Sequence, residues 1–196
     1  MHRFFGGAAK VRVIAGSHRG RKLKAPKGMA TRPTTDRVRE ALFSILGDLT
    51  GLVVADCYAG TGALGIEALS RGAQRAVFIE SGRAACETIT DNLTQLQLLD
   101  RAVVFRLQVE KAQRALLSQG TVDLMLADSP WPIAQAAANT VLKIAGESVD
   151  EHGRIVLGHP QRMTLEIEPT LGFAAYSTRH WGDSALTFCV REKLAK

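Results

Sequence analysis

The chain has 196 residues, of which 46% are hydrophobic and 22% are charged, a composition typical of one globular domain. No apolar run approaches the length of about 18 residues that a membrane span needs, and the amino-terminal segment is too charged for a secretory signal. We therefore expect a cytoplasmic protein with no membrane partner. Cys57, Cys86 and Cys189 lack metal-ligand spacing, so we expect reduced, mostly buried thiols and no metal.

The net charge of +6 is concentrated at one end of the chain. Residues 1–40 contain 11 Lys or Arg residues and two acids, whereas the remaining 156 residues carry a net charge of −3. Basic side chains among turn residues are typical of a segment that contacts nucleic-acid phosphates, although a solvated basic hairpin has the same composition. The candidate RNA-binding residues are Arg12, Arg19, Arg21, Lys22, Lys24 and Arg32.

The predicted elements begin with a short hairpin over 11–15 and 21–24 and a helix that Thr34 or Thr35 can cap. The apolar positions of this helix recur at helical spacing and are Val38, Leu42, Ile45 and Leu49. From residue 52, short apolar runs alternate with helical stretches, which predicts a parallel sheet covered on both faces. The predicted strands are LVVADC, AVFIE, AVVFRL, VDLMLAD and GRIVLG, and the predicted helices lie near 62–71, 83–97, 110–117 and 133–145.

The last third of the chain has a different pattern. MTLEIE, FAAYSTRHW and SALTFCVRE read as strands with turns between them, which predicts antiparallel strands at one end of the sheet. We therefore predict an α/β fold with a seven-strand mixed sheet. The predicted organisation is a basic extension over residues 1–33 and a main domain over 34–196. Trp181 at a predicted hairpin turn is assigned to packing, and the five histidines are assigned to surface or loop positions.

The glycine-rich segment DCYAGTGALGIEAL follows the first predicted strand. Gly60, Gly62 and Gly65 match G-x-G-x-x-G, and Glu80 stands where an acid would hold ribose hydroxyls. This match alone leaves open a dinucleotide, another nucleoside ligand or a turn without a ligand. Asp56 would repel a pyrophosphate but suits the cationic ammonium and sulfonium of S-adenosylmethionine, so we predict that cofactor.

Open sheets of this kind bind ligands beyond the carboxyl ends of their strands. The candidate cofactor-binding residues at those ends are Asp56, Tyr58, Ala59, Gly60, Gly62, Glu80, Ser81 and Gln108. A second group follows the fourth strand in the stretch DSPW and comprises Asp128, Ser129, Pro130 and Trp131. These four residues are the candidate catalytic residues, although Asp, Ser and Pro are also ordinary turn residues.

The stretch DSPW suits methyl transfer to an exocyclic amino group of a nucleobase. Such an amine is a poor nucleophile because its lone pair is delocalised into the ring, and acceptors that hold its N–H groups favour attack. Asp128 and the backbone carbonyl of Ser129 can supply two acceptors. Pro130 restrains that carbonyl, and Trp131 offers a face on which a flipped base can stack.

DSPW resembles the (Asp/Asn)-Pro-Pro-(Tyr/Phe) signature of methyltransferases that act on nucleobase amines. Together with VRVIAG, RGRKL, RPTTDRVREALF and DCYAGTGALGIEALSRGA, it makes the chain resemble the RsmD-type 16S rRNA (guanine-N2)-methyltransferases from about residue 11 onwards. The resemblance implies a Rossmann-like S-adenosylmethionine-dependent fold and a monomer that makes N2-methylguanine in 16S rRNA of a partly assembled 30S particle. Val109 and Thr35 join the cofactor-binding residues. Thr34, Thr35 and Arg37 resemble the family's cofactor-side block, which implies a contact with the methionine carboxylate, although a helix cap followed by a surface arginine has the same pattern.

The sequence departs from that pattern at Ser129, Trp131, Gln108 and Gly82. DSPW does not separate guanine from adenine, since each has an exocyclic amine, so an N6-adenine methyltransferase acting on DNA stays open. An RNA-binding relative without activity also stays open, because Ser129 replaces the first proline of the signature. A nicotinamide-dependent dehydrogenase is a more distant alternative.

Overall fold

The structure is a computed structural model that describes residues 11–26 and 34–192. Arg32, one of the candidate RNA-binding residues, lies outside the described residues, as does residue 33 at the predicted domain boundary. Within the described ranges, no helix is long and apolar enough to cross a membrane.

One mixed sheet forms the centre of the molecule. Its strands are β1 Val53–Cys57, β2 Arg75–Glu80, β3 Ala102–Arg106, β4 Val122–Ala127, β5 Val149–Pro160, β6 Phe173–Trp181 and β7 Ser184–Arg191, in the spatial order β3-β2-β1-β4-β5-β7-β6. The first five strands in this order pair in parallel, and β7 pairs antiparallel with both β5 and β6. The prediction of a seven-strand mixed sheet with an antiparallel end is confirmed.

Helices cover both faces of the sheet. They are α1 Asp36–Leu46, α2 Ala63–Ser70, α3 Arg83–Gln95, α4 Gln113–Leu117 and α5 Ala134–Ser148. The first three helices pack on one face, against strand residues such as Val54 and Phe78, whereas α4 and α5 pack on the other, against residues such as Ala55 and Ile79. Successive side chains of a strand point to opposite faces, so the central strands are buried on both faces.

The strand predicted over MTLEIE is wrong. Residues 163–168 form no strand, although Leu165 and Ile167 pack against the core and account for the alternating pattern. The backbone of Glu166 is paired with a side chain instead, because its N–H donates to Gln135 Oε1 at 3.0 Å and its carbonyl accepts from Gln135 Nε2 at 2.8 Å. A side-chain amide therefore satisfies the backbone groups that a neighbouring strand would otherwise use.

Two further details differ from the prediction. The helix expected over 110–117 is divided into a 3₁₀ turn at Val109–Lys111 and the short α4. The surface assignment of the histidines is wrong for His159, which is buried in β5 with Nε2 2.8 Å from Thr187 Oγ1. Burial lowers the pKa of this imidazole. The three cysteines are free and buried, as predicted.

The basic hairpin is packed against the main domain. Its two strands exchange backbone hydrogen bonds, from Val13 N to Arg21 O at 2.9 Å and from Leu23 N to Val11 O at 2.8 Å. The apolar side chains Val11, Val13 and Leu23 are buried beside α2 and α3. The predicted hairpin is therefore confirmed, and its apolar face belongs to the same core as the helices.

Glu67 of α2 holds the hairpin, and the sequence analysis did not single it out. Its side chain is 0% exposed and accepts hydrogen bonds from Ile14 N at 2.7 Å and Ala15 N at 3.0 Å. It also pairs with Arg71 one helical turn later, at 2.7 Å. A buried carboxylate with three donors fixes the hairpin more firmly than apolar contact alone.

We expect Glu67→Ala to lower the free energy of unfolding by about 3 kcal/mol, because three donors lose a buried acceptor. Glu87→Ala is the matched control, since Glu87 also pairs with an arginine four residues away in sequence but both side chains of that pair are exposed. The control should change stability little. Urea unfolding of both variants measures the difference, and equal effects would contradict this role of Glu67.

Candidate functional site

A cavity of about 710 Å³ lies at the carboxyl ends of β1, β2 and β4, a size suited to a nucleoside ligand. Eight predicted cofactor-binding residues line it: Asp56, Tyr58, Ala59, Gly60, Glu80, Ser81, Gln108 and Val109. The four candidate catalytic residues of DSPW also line it. The fold therefore brings the glycine loop and DSPW to one cavity, as their positions at neighbouring strand ends predict.

The glycine loop turns sharply between β1 and α2. Tyr58, Gly60 and Gly62 have φ angles of 59°, 55° and 75°, and Gly62 is the residue before α2. A side chain at Gly65 would meet the ring of Phe78, because a Cβ there would lie 2.3 Å from Phe78 Cε1. The glycines therefore serve the turn and the close packing of α2 on β2, and they bring the loop backbone to the cavity wall. Gly62 itself does not line the cavity.

Asp56 is a buried carboxylate at the cavity wall. It is 1% exposed, and its Oδ2 accepts a hydrogen bond from Gly65 N at 2.8 Å. Burial raises the pKa of this carboxyl well above its usual range, and the nearby charges of Asp128 and Glu80 raise it further. A cationic ligand beside Asp56 would favour its ionised form.

Glu80 ends β2 and is held by backbone amides of two loops. Its Oε2 accepts from Gly60 N at 2.9 Å, and its Oε1 accepts from Gly82 N at 2.7 Å. Each carboxylate oxygen keeps a second lone pair for a ligand hydroxyl. Gly82, which departs from the family pattern, therefore contributes a backbone donor that orients Glu80.

Asp128 follows β4 and lies between α1 and β5. The Thr34 hydroxyl donates to Asp128 Oδ2, and burial raises the pKa of the carboxyl. On the other side Gly158 leaves room for the carboxylate, because a Cβ at that position would lie 2.6 Å from Asp128 Oδ1. Gly158 was not predicted, since only the pairing of β4 with β5 brings it beside Asp128.

Thr34 and Thr35 have different places in the structure. Thr35 caps α1, where its Oγ1 accepts from Val38 N at 3.4 Å, and it does not line the main cavity. Thr34 lines that cavity beside Asp128. The predicted helix cap is thus confirmed for Thr35, whereas its predicted contact with the cofactor stays a prediction.

Three buried polar groups of the cavity wall have no hydrogen-bond partner among residues 11–26 and 34–192. They are the Tyr58 hydroxyl and the Nε and Nη1 groups of Arg39. Burial, followed by the charge of Glu110, raises the pKa of Tyr58 to about 12. Unpaired polar groups at a cavity wall are expected where a polar ligand completes their hydrogen bonds. Sequence reasoning missed Arg39 and singled out Arg37, which is exposed on the same helix.

A smaller cavity of about 200 Å³ adjoins the first. Four residues line both cavities and form their shared wall: Thr34, Asp128, Trp131 and Asp183. Trp131 is 43% exposed, and Trp181 lines the smaller cavity while it also packs against the core. The assignment of Trp181 to packing is therefore incomplete, because its ring also borders a surface cavity.

The described candidate RNA-binding residues all lie exposed on or beside the hairpin. Two of them have a carboxylate partner, since Arg12 pairs with Asp36 at 2.8 Å and Lys24 pairs with Asp91 at 2.9 Å. The other three are Arg19, Arg21 and Lys22, which form no ion pair with any residue in the described part of the chain.

Comparison with known proteins places this geometry in a family. The family model described as "Conserved hypothetical protein 95" matches residues 11–190. Ribosomal RNA small subunit methyltransferase D of Escherichia coli K12 is 41% identical over 127 residues, which are 64% of this chain and 62% of the relative. The chain belongs to the RsmD-type methyltransferase family.

Other members of the family cover more of the chain. One of them is YlbH of Bacillus subtilis, which is named as a provisional rRNA methyltransferase. It is 37% identical to this chain over 83% of this chain and 88% of its own length. The solved structure of the E. coli protein yhhF, provisionally titled a methyltransferase, has a TM-score of 0.77 and 29% identity, with 93% of this chain and 98% of that chain covered. The residues that the family model matches include the glycine loop and DSPW.

The cofactor of this RsmD-type protein is S-adenosylmethionine, and the residues of the cavity fit it. Asp56, Glu80 and Asp128 surround the cavity with negative charge, which suits a ligand with ammonium and sulfonium groups. Within residues 11–26 and 34–192, no three His, Cys, Asp or Glu side chains are grouped closely enough to hold a metal ion.

We expect Asp56→Asn to raise the Tm of the ligand-free protein and to weaken its binding of S-adenosylmethionine. Asparagine keeps an acceptor for Gly65 N but removes a buried charge. The folded-state pKa of Asp56 is raised, so the folded protein loses stability as pH rises from the ordinary carboxyl range to that raised pKa. The gain in stability from asparagine is therefore larger at neutral pH than in acid. Calorimetry should show roughly ten- to hundredfold weaker binding.

The matched control is Asp100→Asn, an exposed carboxylate outside the cavity. It should change neither Tm nor affinity. If Asp56→Asn bound the cofactor as tightly as the wild type, Asp56 would have no part in holding the cation.

Proposed function

We propose that this protein transfers a methyl group from S-adenosylmethionine to the exocyclic N2 of a guanine in 16S rRNA, on a partly assembled 30S particle. The observation that carries this proposal is the shared wall of the two cavities, where Asp128 and Trp131 border both the cofactor cavity and the outer one. A base entering from outside would meet an acceptor and an aromatic face beside the cofactor. The names of relatives that act on small-subunit rRNA support the choice of RNA.

S-adenosylmethionine supplies an electrophilic methyl group when it is bound. Asp128 and the Ser129 carbonyl accept the two N–H groups of the target amine, which turns the nitrogen lone pair towards the cofactor side. The described residues donate no hydrogen bond to that carbonyl. Trp131 fixes the plane of the base by stacking. The bond from nitrogen to the methyl group forms as the bond from sulfur to that group breaks, and the cationic amine then loses one N–H proton to Asp128 or to water. The rate gain comes from positioning and from the negative charge beside the amine as it becomes cationic.

The shared wall favours guanine over adenine. Guanine presents N1–H and the N2 amino group side by side, so its edge offers only donors there, whereas adenine presents an N6 amine beside an acceptor at N1. Asp128 and Asp183 both place carboxylates at the shared wall. Carboxylate oxygens accept from donors and repel the adenine N1 lone pair, so the wall complements guanine.

The departure at Ser129 is compatible with activity. Ser129 is only 5% exposed, and Pro130 after it has φ and ψ of −54° and 132°, an extended conformation that keeps the preceding carbonyl in a fixed peptide plane. The chemistry needs that carbonyl and not the side chain. This favours a working enzyme over an RNA-binding relative without activity.

The depth of Asp128 supports a substrate whose target base is unstacked. A base inside a helix cannot reach a partly buried carboxylate, so the nucleotide must leave its stack, at a cost that is lower where the RNA is not yet fully folded. The exposed cations of the hairpin would hold the flanking phosphates. A partly assembled particle offers both features.

We expect Asp128→Ala to lower the turnover number for methyl transfer to rRNA by at least about a hundredfold, because one of two acceptors for the amine is lost. Asp128→Asn should keep more activity than Asp128→Ala, since its amide oxygen still accepts one hydrogen bond. Transfer of tritiated methyl groups to small-subunit particles from cells lacking the gene measures the rates. Calorimetry controls for cofactor binding, and a fully active Asp128→Ala would contradict the proposal.

We expect the joint replacement of Arg19, Arg21 and Lys22 by alanine to weaken binding to RNA of any nucleotide sequence. The salt dependence of binding should flatten by about two to three phosphate contacts, and cofactor affinity should stay unchanged. The control replaces the exposed cations Arg75, Lys143 and Arg162, which changes the net charge equally. If the salt dependence of RNA binding were equal for the two triple variants, the hairpin cations would not contact RNA phosphates and the hairpin would be only a solvated surface.

A further inference from the structure

The chain has two tryptophans, and both border the smaller cavity. Trp131 lies at the wall shared with the cofactor cavity, where the proposed methyl transfer uses it to stack the target base. Trp181 lines the smaller cavity but not the larger one. A partly exposed indole at a cavity wall is a surface on which a nucleobase can stack. The smaller cavity therefore offers a second stacking surface besides the one for the target base.

The fold holds Trp181 in a fixed position. It is the last residue of β6 and pairs with Ser184 of β7 across a two-residue turn. Its side chain packs against the core cluster that contains Val38 of α1 and Leu186 of β7. A ring that the core already holds loses little side-chain freedom when a ligand binds to it.

Two exposed arginines lie close to this ring. Arg37 of α1 lines the smaller cavity, and Arg179 precedes Trp181 by two residues in the regularly paired part of β6. Residues two apart on a strand share a face and are about 7 Å apart along it. Neither arginine forms an ion pair with a residue in the ranges 11–26 and 34–192. Free cations beside an aromatic surface are typical of sites for single-stranded RNA, where cations bind phosphates and bases stack.

The carboxylates of the smaller cavity determine which part of a nucleotide can enter it. Asp128 and Asp183 line it, so a phosphate inside the cavity would be repelled. The N–H groups of a base would instead find acceptors there. A nucleotide at this place would therefore put its base into the cavity and leave its phosphate outside, on the side of the arginines.

We propose that Trp181 stacks the base next to the target guanine in a single-stranded segment of the substrate RNA, while Arg37 and Arg179 bind the flanking phosphates. The two cavities share a wall, so the neighbour of a base held at Trp131 reaches Trp181. In the sheet, β4 lies between β2, which shares a core cluster with the basic hairpin, and β6, which carries Trp181. The RNA is then held on both sides of the target. This inference rests on the proposed function and adds a base subsite to it.

The first test separates stacking from packing at position 181. Trp181→Leu fills the core side of the site but removes the aromatic face, and it should raise KM for small-subunit particles from cells lacking the gene by roughly five- to hundredfold. Its kcat and its KM for S-adenosylmethionine should stay close to the wild-type values, because the cofactor cavity is intact. Trp181→Phe keeps an aromatic face and should hold KM for the particles within about threefold of the wild type.

The contribution of the cations is tested in the same assay of tritiated methyl transfer. Arg37→Gln should also raise KM for the particles, because a phosphate contact is lost. Arg114→Gln is the matched control, since Arg114 is an exposed arginine of α4, which packs on the opposite face of the sheet. The control should leave KM unchanged.

A fluorescence measurement tests the stacking without turnover. In a Trp131→Phe background, Trp181 is the only tryptophan, and a base stacked on an indole quenches its fluorescence. A single-stranded oligoribonucleotide should quench the signal, whereas an abasic ribose-phosphate chain of the same length should not. Equal KM values for Trp181→Leu and Trp181→Phe, or quenching that does not differ between the two chains, would overturn the proposal. A wild type that transfers no methyl group to the particles would instead reject the proposed function.

Discussion

Three carboxylates meet at the carboxyl ends of adjacent strands, and the site depends on this concentration of negative charge. Asp56, Glu80 and Asp128 follow from the strand order β2-β1-β4, which places three strand ends around one cavity. Such an arrangement opposes folding, because burial raises the pKa of Asp56 well above its usual range and the nearby charges of Asp128 and Glu80 raise it further. A cation relieves the repulsion, so the same groups that destabilise the ligand-free protein favour a sulfonium cofactor.

The helix α1 joins the cofactor cavity to the basic hairpin. Asp36 at its first turn pairs with Arg12 of the hairpin and with Arg39 at the cavity, while Thr34 just before it donates to Asp128. The backbone carbonyl of Arg12 accepts from Arg39 as well. The start of this one helix therefore contacts the surface proposed for RNA, the wall of the cofactor cavity and the acceptor proposed for the target base.

Local patterns were sufficient to predict the sheet, the glycine loop and the strand-end acids, because each follows from residues adjacent in sequence. Long-range packing decided the rest. The rotation of α1 against the sheet determines that Arg39 rather than Arg37 is buried, and the register of β4 on β5 brings Gly158 to Asp128. Likewise, the alternating MTLEIE run packs apolar side chains without a strand partner, because the Gln135 amide binds its backbone.

Mass mapping of modified nucleotides in rRNA, from cells with and without the gene, tests whether this site methylates the amine of a guanine in small-subunit rRNA. If it does, one N2-methylguanine of 16S rRNA disappears with the gene and returns when the wild-type gene is supplied. Identical maps from both cells, or a lost methyl group on adenine, would contradict it.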